Sequence, residues 1–218
     1  MKRSAVALIC GMLFFPVFSR AWDSDMSLKG VYFGAKAGVT YPMPFMASTP
    51  GQGAYIPGVD YCAGLTAEYF FISDQLSVSA GIMYVNEMQS VQWYDAYSTL
   101  ETDFSQYFSF PVCAKGFLSF GRYRPHLILG AAFDAAKYTD IYYDSTVDNQ
   151  SASFQGRASY ISGLAGLGCY YVIDKNNIIT CEVVFKDELE QISPAGWSYI
   201  GNKNYYRSTF LLDAGYSF

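Results

Sequence analysis

The stretch Val59-Asp60-Tyr61-Cys62-Ala63-Gly64-Leu65-Thr66-Ala67-Glu68-Tyr69-Phe70-Phe71 decides the fold. Successive side chains of an extended chain point to opposite faces, so the stretch sorts into two surfaces. Val59, Tyr61, Ala63, Leu65, Ala67, Tyr69 and Phe71 form an apolar one; Asp60, Cys62, Gly64, Thr66, Glu68 and Phe70 form the other, which holds both carboxylates. Strands of soluble proteins usually stop after about 5–6 residues. A strand tilted across a bilayer needs about 9–11, and this run is long enough.

Working outward, the same sorting recurs. Val31, Phe33, Ala35, Ala37, Val39 and Tyr41 oppose Tyr32, Gly34, Lys36, Gly38 and Thr40. Further segments cover 76–84, 107–115, 126–134, a Gly-rich run near 158–171 with ambiguous faces, 179–186 and 206–218. Lys36, Asp60, Glu68, Lys115, Asp134, Glu182, Lys186, Arg207 and Asp213 all fall on the non-apolar face. A Lys or Arg facing lipid at mid-depth costs about 2–4 kcal/mol, so the apolar face must meet lipid and the charged face must turn inward. A soluble lipid-carrying barrel would reverse this. Short connections (72–75, 119–124 and 172–177) alternate with long ones of about 15–20 residues, as in membrane barrels. The pattern predicts an all-β chain, an eight-stranded antiparallel up-and-down transmembrane β-barrel.

Eight strands leave a lumen that side chains just fill. The inward charges are therefore expected to form a buried network; the alternative is a narrow conduit in which they set ion or solute selectivity. Aromatic rings favour the headgroup zone. Phe70, Phe71, Phe117, Phe120, Tyr170, Tyr171, Tyr216 and Phe218 are expected to form a belt at the short-turn end, with Tyr41, Tyr84, Tyr138, Tyr160 and Tyr206 at the other. Pro111 lacks a ladder donor and calls for a bulge or broken pairing.

Composition agrees. The chain of 218 residues is 51% hydrophobic, 18% aromatic and 15% charged, which excludes disorder. A formal net charge of −5 tells against a nucleic-acid surface. Lys2-Arg3, the apolar run Ala5–Phe18 and Ser19-Arg20-Ala21 have the three parts of a secretory signal. We expect residues 1–21 to be removed and 22–218 to form one domain in the outer membrane of a two-membrane bacterium.

Export permits disulfides. Cys169 and Cys181 lie six residues either side of Lys175, so a hairpin would set them opposite each other as a candidate disulfide; Cys62 and Cys113, on non-neighbouring strands, are expected to be free thiols. No CxxC spacing supports a metal site. With His126 as the one histidine, no catalytic constellation emerges, and neither cofactor, metal nor enzymatic activity is expected, an outer-membrane lipid enzyme being the weakest reading. The long loops carry exposed-anchor candidates for a host or surface ligand: Trp93 and Tyr94, Tyr142 and Tyr143, Trp197 and Tyr199.

The last ten residues, Thr209 to Phe218, resemble the C-terminal strand of bacterial outer-membrane proteins, with Phe210, Leu212, Ala214, Tyr216 and Phe218 at the alternating positions. The segment Phe108–Lys115 followed by Arg124–Ala131 is similar to a hairpin of the porin-like family with an OmpX/OmpA-type eight-stranded barrel, His126 standing where an aromatic is usual. The resemblance implies that the C-terminal row is read by the barrel-assembly machinery. It also implies outer-membrane lipid as surroundings, and a role as anchor, surface-interaction protein or narrow channel.

Overall fold

The computed structural model describes residues 26–46, 53–93, 99–145, 151–156, 159–191 and 205–218. The expected signal segment, Tyr94, Trp197 and Tyr199 lie outside them. Among the described residues ten strands form: β1 (Gly30–Met46), β2 (Gly53–Pro57), β3 (Asp60–Ile72), β4 (Leu76–Trp93), β5 (Thr99–Phe117), β6 (Tyr123–Ser145), β7 (Ser151–Gly156), β8 (Ser159–Asp174), β9 (Asn177–Gln191) and β10 (Tyr205–Ser217). Eight of them close a barrel in the order β1-β3-β4-β5-β6-β8-β9-β10, every pairing antiparallel. The seam between β1 and β10 is finished by Phe33 and Phe218, which exchange backbone hydrogen bonds of 2.9 and 2.8 Å.

The remaining strands lie on top of this cylinder. β2 pairs only with the end of β4, and β7 only with the end of β6. With the upper parts of β4, β5 and β6 they make a five-stranded extension in the order β2-β4-β5-β6-β7. β4, β5 and β6 run to 18, 19 and 23 residues, so sequence segments ending near 84 and beginning near 107 belong to much longer strands than the period-two reading implied.

The faces follow the alternation. In β3, Leu65 is 63% exposed while Glu68 is 9% exposed. Residues three apart on a strand lie on opposite faces, here one outside the wall and one in the lumen. The exterior carries Val31, Phe33, Val39, Val78, Val112, Phe133, Leu167, Val183 and Leu212, all exposed. The Gly-rich β8 resolves the same way, with Ser162, Leu164, Tyr170 and Val172 buried in the lumen and Ile161 and Leu167 outside. Pairing between β4 and β5 lapses between Ala80↔Val112 and Met83↔Ser109, beside Pro111. No donor is available there, as expected.

Three tight turns join the strands at one end. In the first, Asp74 adopts φ 59°, a left-handed conformation that Asp tolerates better than most residues. In the third, the Asn177 side chain and the Asn176 N–H donate to Asp174, holding its carboxyl below the usual carboxylate range.

Candidate functional site

The lumen is built in three levels. At its centre stands Glu182 of β9. Its Oε1 accepts from Lys115 Nζ at 2.8 Å and lies 3.0 Å from His126 Nε2; its Oε2 accepts from Lys36. Lys115 also donates to Glu68 at 3.1 Å and to Tyr170, whose hydroxyl donates to Glu68 as well, as does Ser77. Asp213 completes the group with an oxygen 3.5 Å from Lys36 Nζ. Lys36, Glu68, Ser77, Lys115, His126, Tyr170, Glu182 and Asp213 come one from each of the eight barrel strands. Buried charges persist only when partners compensate them, and here the partners converge from the whole circumference.

Gly168 makes this convergence possible. A Cβ at that position would lie 2.4 Å from His126 Nε2 and 2.7 Å from Glu182 Cγ. Gly168 thus gives room to its bulky lumen neighbours.

A second network lies toward the long-loop end. Lys186 pairs with Asp134 at 2.9 Å, donates to the Tyr107 hydroxyl at 3.0 Å and sits 4.3 Å from that ring's centroid. Tyr107 in turn donates to Glu87 at 2.8 Å, and Ser162 to Asp134 at 2.5 Å. Asp60, half-buried at the upper edge, accepts from Asn86 Nδ2 at 3.2 Å and from the Met88 amide. Between the two networks lie Met83, Val85, Ile128, Leu164, Val184 and Leu211, around a cavity of about 80 Å³.

The third level closes the short-turn mouth. Leu28, fully buried, packs with Tyr32, Phe70, Phe117, Tyr170, Val172 and Ile178. The chain just before β1 is therefore folded into the barrel end. Asp74 latches it: its Oδ1 accepts from the Leu28 amide at 2.9 Å, and its own amide donates to Leu28 O at 3.2 Å. Arg124, 1% exposed, donates to the same Asp74 oxygen at 3.2 Å. The Tyr32 hydroxyl donates to Lys175 O at 2.7 Å.

Of the inward set, Glu68, Lys115, Asp134, Glu182, Lys186 and Asp213 are buried, and Lys36 and Asp60 are half-buried. Arg207 lies in β10 opposite Pro44, with its side chain outside those described. The aromatic belt needs correction. Phe70, Phe117 and Tyr170 point into the lumen and form the stopper, because their parity matches that of the buried charges; Phe71, Phe120, Tyr216 and Phe218 stay outside. The candidate disulfide also needs correction. Cys169 and Cys181 are directly opposite, yet both are free thiols. Opposed strand residues hold their Cβ atoms about 4.5–5.5 Å apart, wider than the roughly 3.8 Å a disulfide takes. Cys62 and Cys113 are free and buried. Sequence reading missed Glu87, Arg124 and Asp74. Glu87 and Arg124 were legible by carrying the β4 and β6 alternations further; Asp74 sits in a turn, where no periodicity marks a side.

Of the loop candidates, Trp93 ends β4 opposite Gly53, while Tyr142 and Tyr143 lie in the upper part of β6, between β5 and β7. Among the described residues no group of His, Cys, Asp and Glu is arranged to hold a metal, and no helix is long and apolar enough to cross a membrane.

No family model matches the sequence, and no curated protein does. Solved structures do. Neisserial surface protein A is similar with a TM-score of 0.50 and 14% identity, over 88% of this chain and 97% of that one. A major outer membrane protein of Thermus thermophilus gives a TM-score of 0.51 and 13% identity, over 87% of this chain and 100% of that one. The fold is that of the eight-stranded outer-membrane barrels. An outer-membrane barrel needs an apolar girdle against lipid, because unpaired charge there costs kilocalories. This one has it, with its charges sealed inside. Fold and exterior together are those of a barrel that crosses a lipid bilayer.

Proposed function

We propose that the protein is a surface-interaction barrel, in which a closed, side-chain-filled cylinder anchors a preordered binding platform. The observation that carries this reading is the five-stranded extension β2-β4-β5-β6-β7. Loops that merely link strands have no need of continued ladders. A ladder prolonged past the girdle fixes the loop backbone in advance, which lowers the ordering entropy that a partner must overcome. Trp93, Tyr142 and Tyr143 lie in or border that sheet, and aromatic residues are favoured anchors at binding surfaces. The stopper at the other mouth and the two ionic networks support an anchor over a conduit.

Two measurements test it. Cells producing the protein should adhere to host-cell monolayers or another surface, and replacing residues 139–156 by a short Gly-Ser turn should abolish adhesion while the heat-modifiable barrel band persists. Adhesion unchanged by that replacement rejects the platform. Refolded protein in planar bilayers should stay at baseline conductance; a steady, solute-dependent current would favour the narrow channel instead. The general partners on this reading are outer-membrane lipid and the barrel-assembly machinery. The latter would read the outward row Phe210, Leu212, Ala214, Tyr216 and Phe218, all of which lie on the lipid face.

A further inference from the structure

Above the closed barrel the sheet does not continue as a ring. Among the described residues β2 pairs only with β4, β7 only with β6, and β1 beyond Thr40 only with β10. Each of the three therefore has one side without a partner strand, and such an edge is a template for pairing with another chain. In an antiparallel ladder successive residues turn their N–H and C=O groups to alternate sides. Each edge can thus be read residue by residue.

Phe33 exchanges hydrogen bonds with Phe218, so the odd residues of β1 serve β10 and the other side carries Pro42 and Pro44. The Phe117 amide donates to Gln75 O, so odd residues of β4 serve β5. Ser90 and Gln92 then serve β2 through Ile56 and Ala54, which puts Gly53, Tyr55 and Pro57 on its outer side. Proline has no donor, so both of these edges are blunted in the way natural sheets use. β7 differs. The Leu118 amide donates to Pro125 O, so even residues of β5 serve β6. Carried through Gln106↔Tyr138, this gives Tyr138, Asp140 and Tyr142 to β5 and leaves Thr139, Ile141 and Tyr143 for β7. Their partners Gly156, Phe154 and Ala152 are thereby engaged, and Ser151, Ser153 and Gln155 turn N–H and C=O outward. No residue of β7 is a proline or carries a charge.

We propose that β7 pairs antiparallel with β7 of a second copy of this chain seated in a facing membrane. The register Ser151↔Gln155, Ser153↔Ser153 and Gln155↔Ser151 sets outward groups against outward groups about a two-fold axis at Ser153, with no like charges opposed. An uncharged edge selects no foreign strand by charge, whereas a second copy matches it by symmetry. Direction decides where that copy sits. Copies in one membrane are related by an axis along its normal, which leaves the two strands parallel. Reversal needs an axis lying between two membranes, and an isologous contact of this kind is complete with two copies. Tyr142, opposite Ser153, lies seven residues beyond Ala135, the last β6 residue paired with β8; that is about 20 Å along the strand, clear of the barrel. The pairing rests on the platform reading above and gives the platform its partner, the same protein on another cell.

The test refolds the whole mature chain into two vesicle populations with different epitope tags and mixes them. Clustering, read as turbidity, is expected. Ser153→Pro should reduce it to the level of protein-free vesicles, because it removes an outward donor and leaves the ladder to β6 in place. Tyr55→Pro, on an edge already blunted, should cluster as wild type does. A second readout stands beside Ser153→Pro in case that change disturbs β7. With Ser153→Cys, a short bis-maleimide should join the two tags in one dimer, above the background of chains without the substitution. No clustering of wild-type vesicles, clustering unmoved by Ser153→Pro, equal loss with Tyr55→Pro, or no mixed-tag dimer would each overturn the pairing. Host adhesion separates the two readings. If replacing residues 139–156 abolishes it while vesicles fail to cluster, the platform stands and self-pairing falls.

Discussion

The lumen is sealed twice, by opposite chemistry. At the short-turn mouth the seal is apolar: Leu28 inserted among Tyr32, Phe70, Phe117, Val172 and Ile178. One level above it is ionic: Glu182 gripped by Lys36, Lys115 and His126. The apolar seal depends on a few residues ahead of β1, which can leave without disturbing any ladder. The ionic seal takes one side chain from every barrel strand and exists only when the last strand has closed on the first. Closure and charge compensation are therefore one event in this molecule. A partly assembled sheet would expose the same charges to lipid, where each costs several kilocalories.

That difference predicts which seal tolerates loss. Glu182→Ala should have the largest effect of any single change. It removes the carboxylate shared by Lys36, Lys115 and His126, leaving Lys36 only Asp213 and Lys115 only Glu68 and Tyr170. Breaking a buried ion pair by removing one partner costs about 3–5 kcal/mol. Urea-driven unfolding of the barrel from lipid vesicles should show that loss, or the variant should fail to yield the heat-modifiable form. If Glu182→Ala unfolded within about 1 kcal/mol of wild type, the ionic seal would be decoration and the comparison would collapse.

Gly168→Ala sharpens the same point with a smaller perturbation. It deletes no charge, yet its methyl would occupy space held by His126 Nε2 and Glu182 Cγ. Overpacking of this kind costs about 1–3 kcal/mol. Gly163→Ala on the same strand is the control, because its added atom would meet only Leu189 side-chain carbons at 3.6–3.8 Å on the lipid side. Equal unfolding midpoints for the two variants would mean that Gly168 makes no room for the ionic seal.

How much of this was legible in the sequence follows from the same division. Wherever alternation runs uninterrupted, parity alone names the side: Lys36, Glu68, Lys115, Glu182, Lys186 and Asp213 are inside because Val39, Leu65, Val112, Val183 and Leu212 are outside. Parity also held the answer for Phe70, Phe117 and Tyr170. They were read by residue type as interfacial rings, although their neighbours Tyr69, Phe71 and Tyr171 occupied the outward positions. What alternation cannot give is register. The choice of Glu182 as centre depends on which residue of each strand reaches the same height, and that is fixed by turns such as the one around Asp74. The apolar stopper was illegible for a further reason, since residues 26–29 belong to no strand and have no period to read.

The stopper gives the smallest and most specific prediction. Leu→Ala in a closed core costs about 2–5 kcal/mol, but Leu28 sits on a segment that precedes the first strand, so the loss cannot exceed the free energy of docking that segment. Leu28→Ala should therefore leave the global unfolding midpoint within about 1 kcal/mol of wild type while releasing residues 26–29 from the mouth. Lys29, exposed and adjacent, reports the release directly. When opening is fast, cleavage tracks the population of the open form, so trypsin should cut after Lys29 several-fold faster in Leu28→Ala than in wild type. A fall in the global midpoint as large as that of Glu182→Ala, with no change in cleavage at Lys29, would show that both seals belong to one cooperative unit and that the apolar one is no detachable plug.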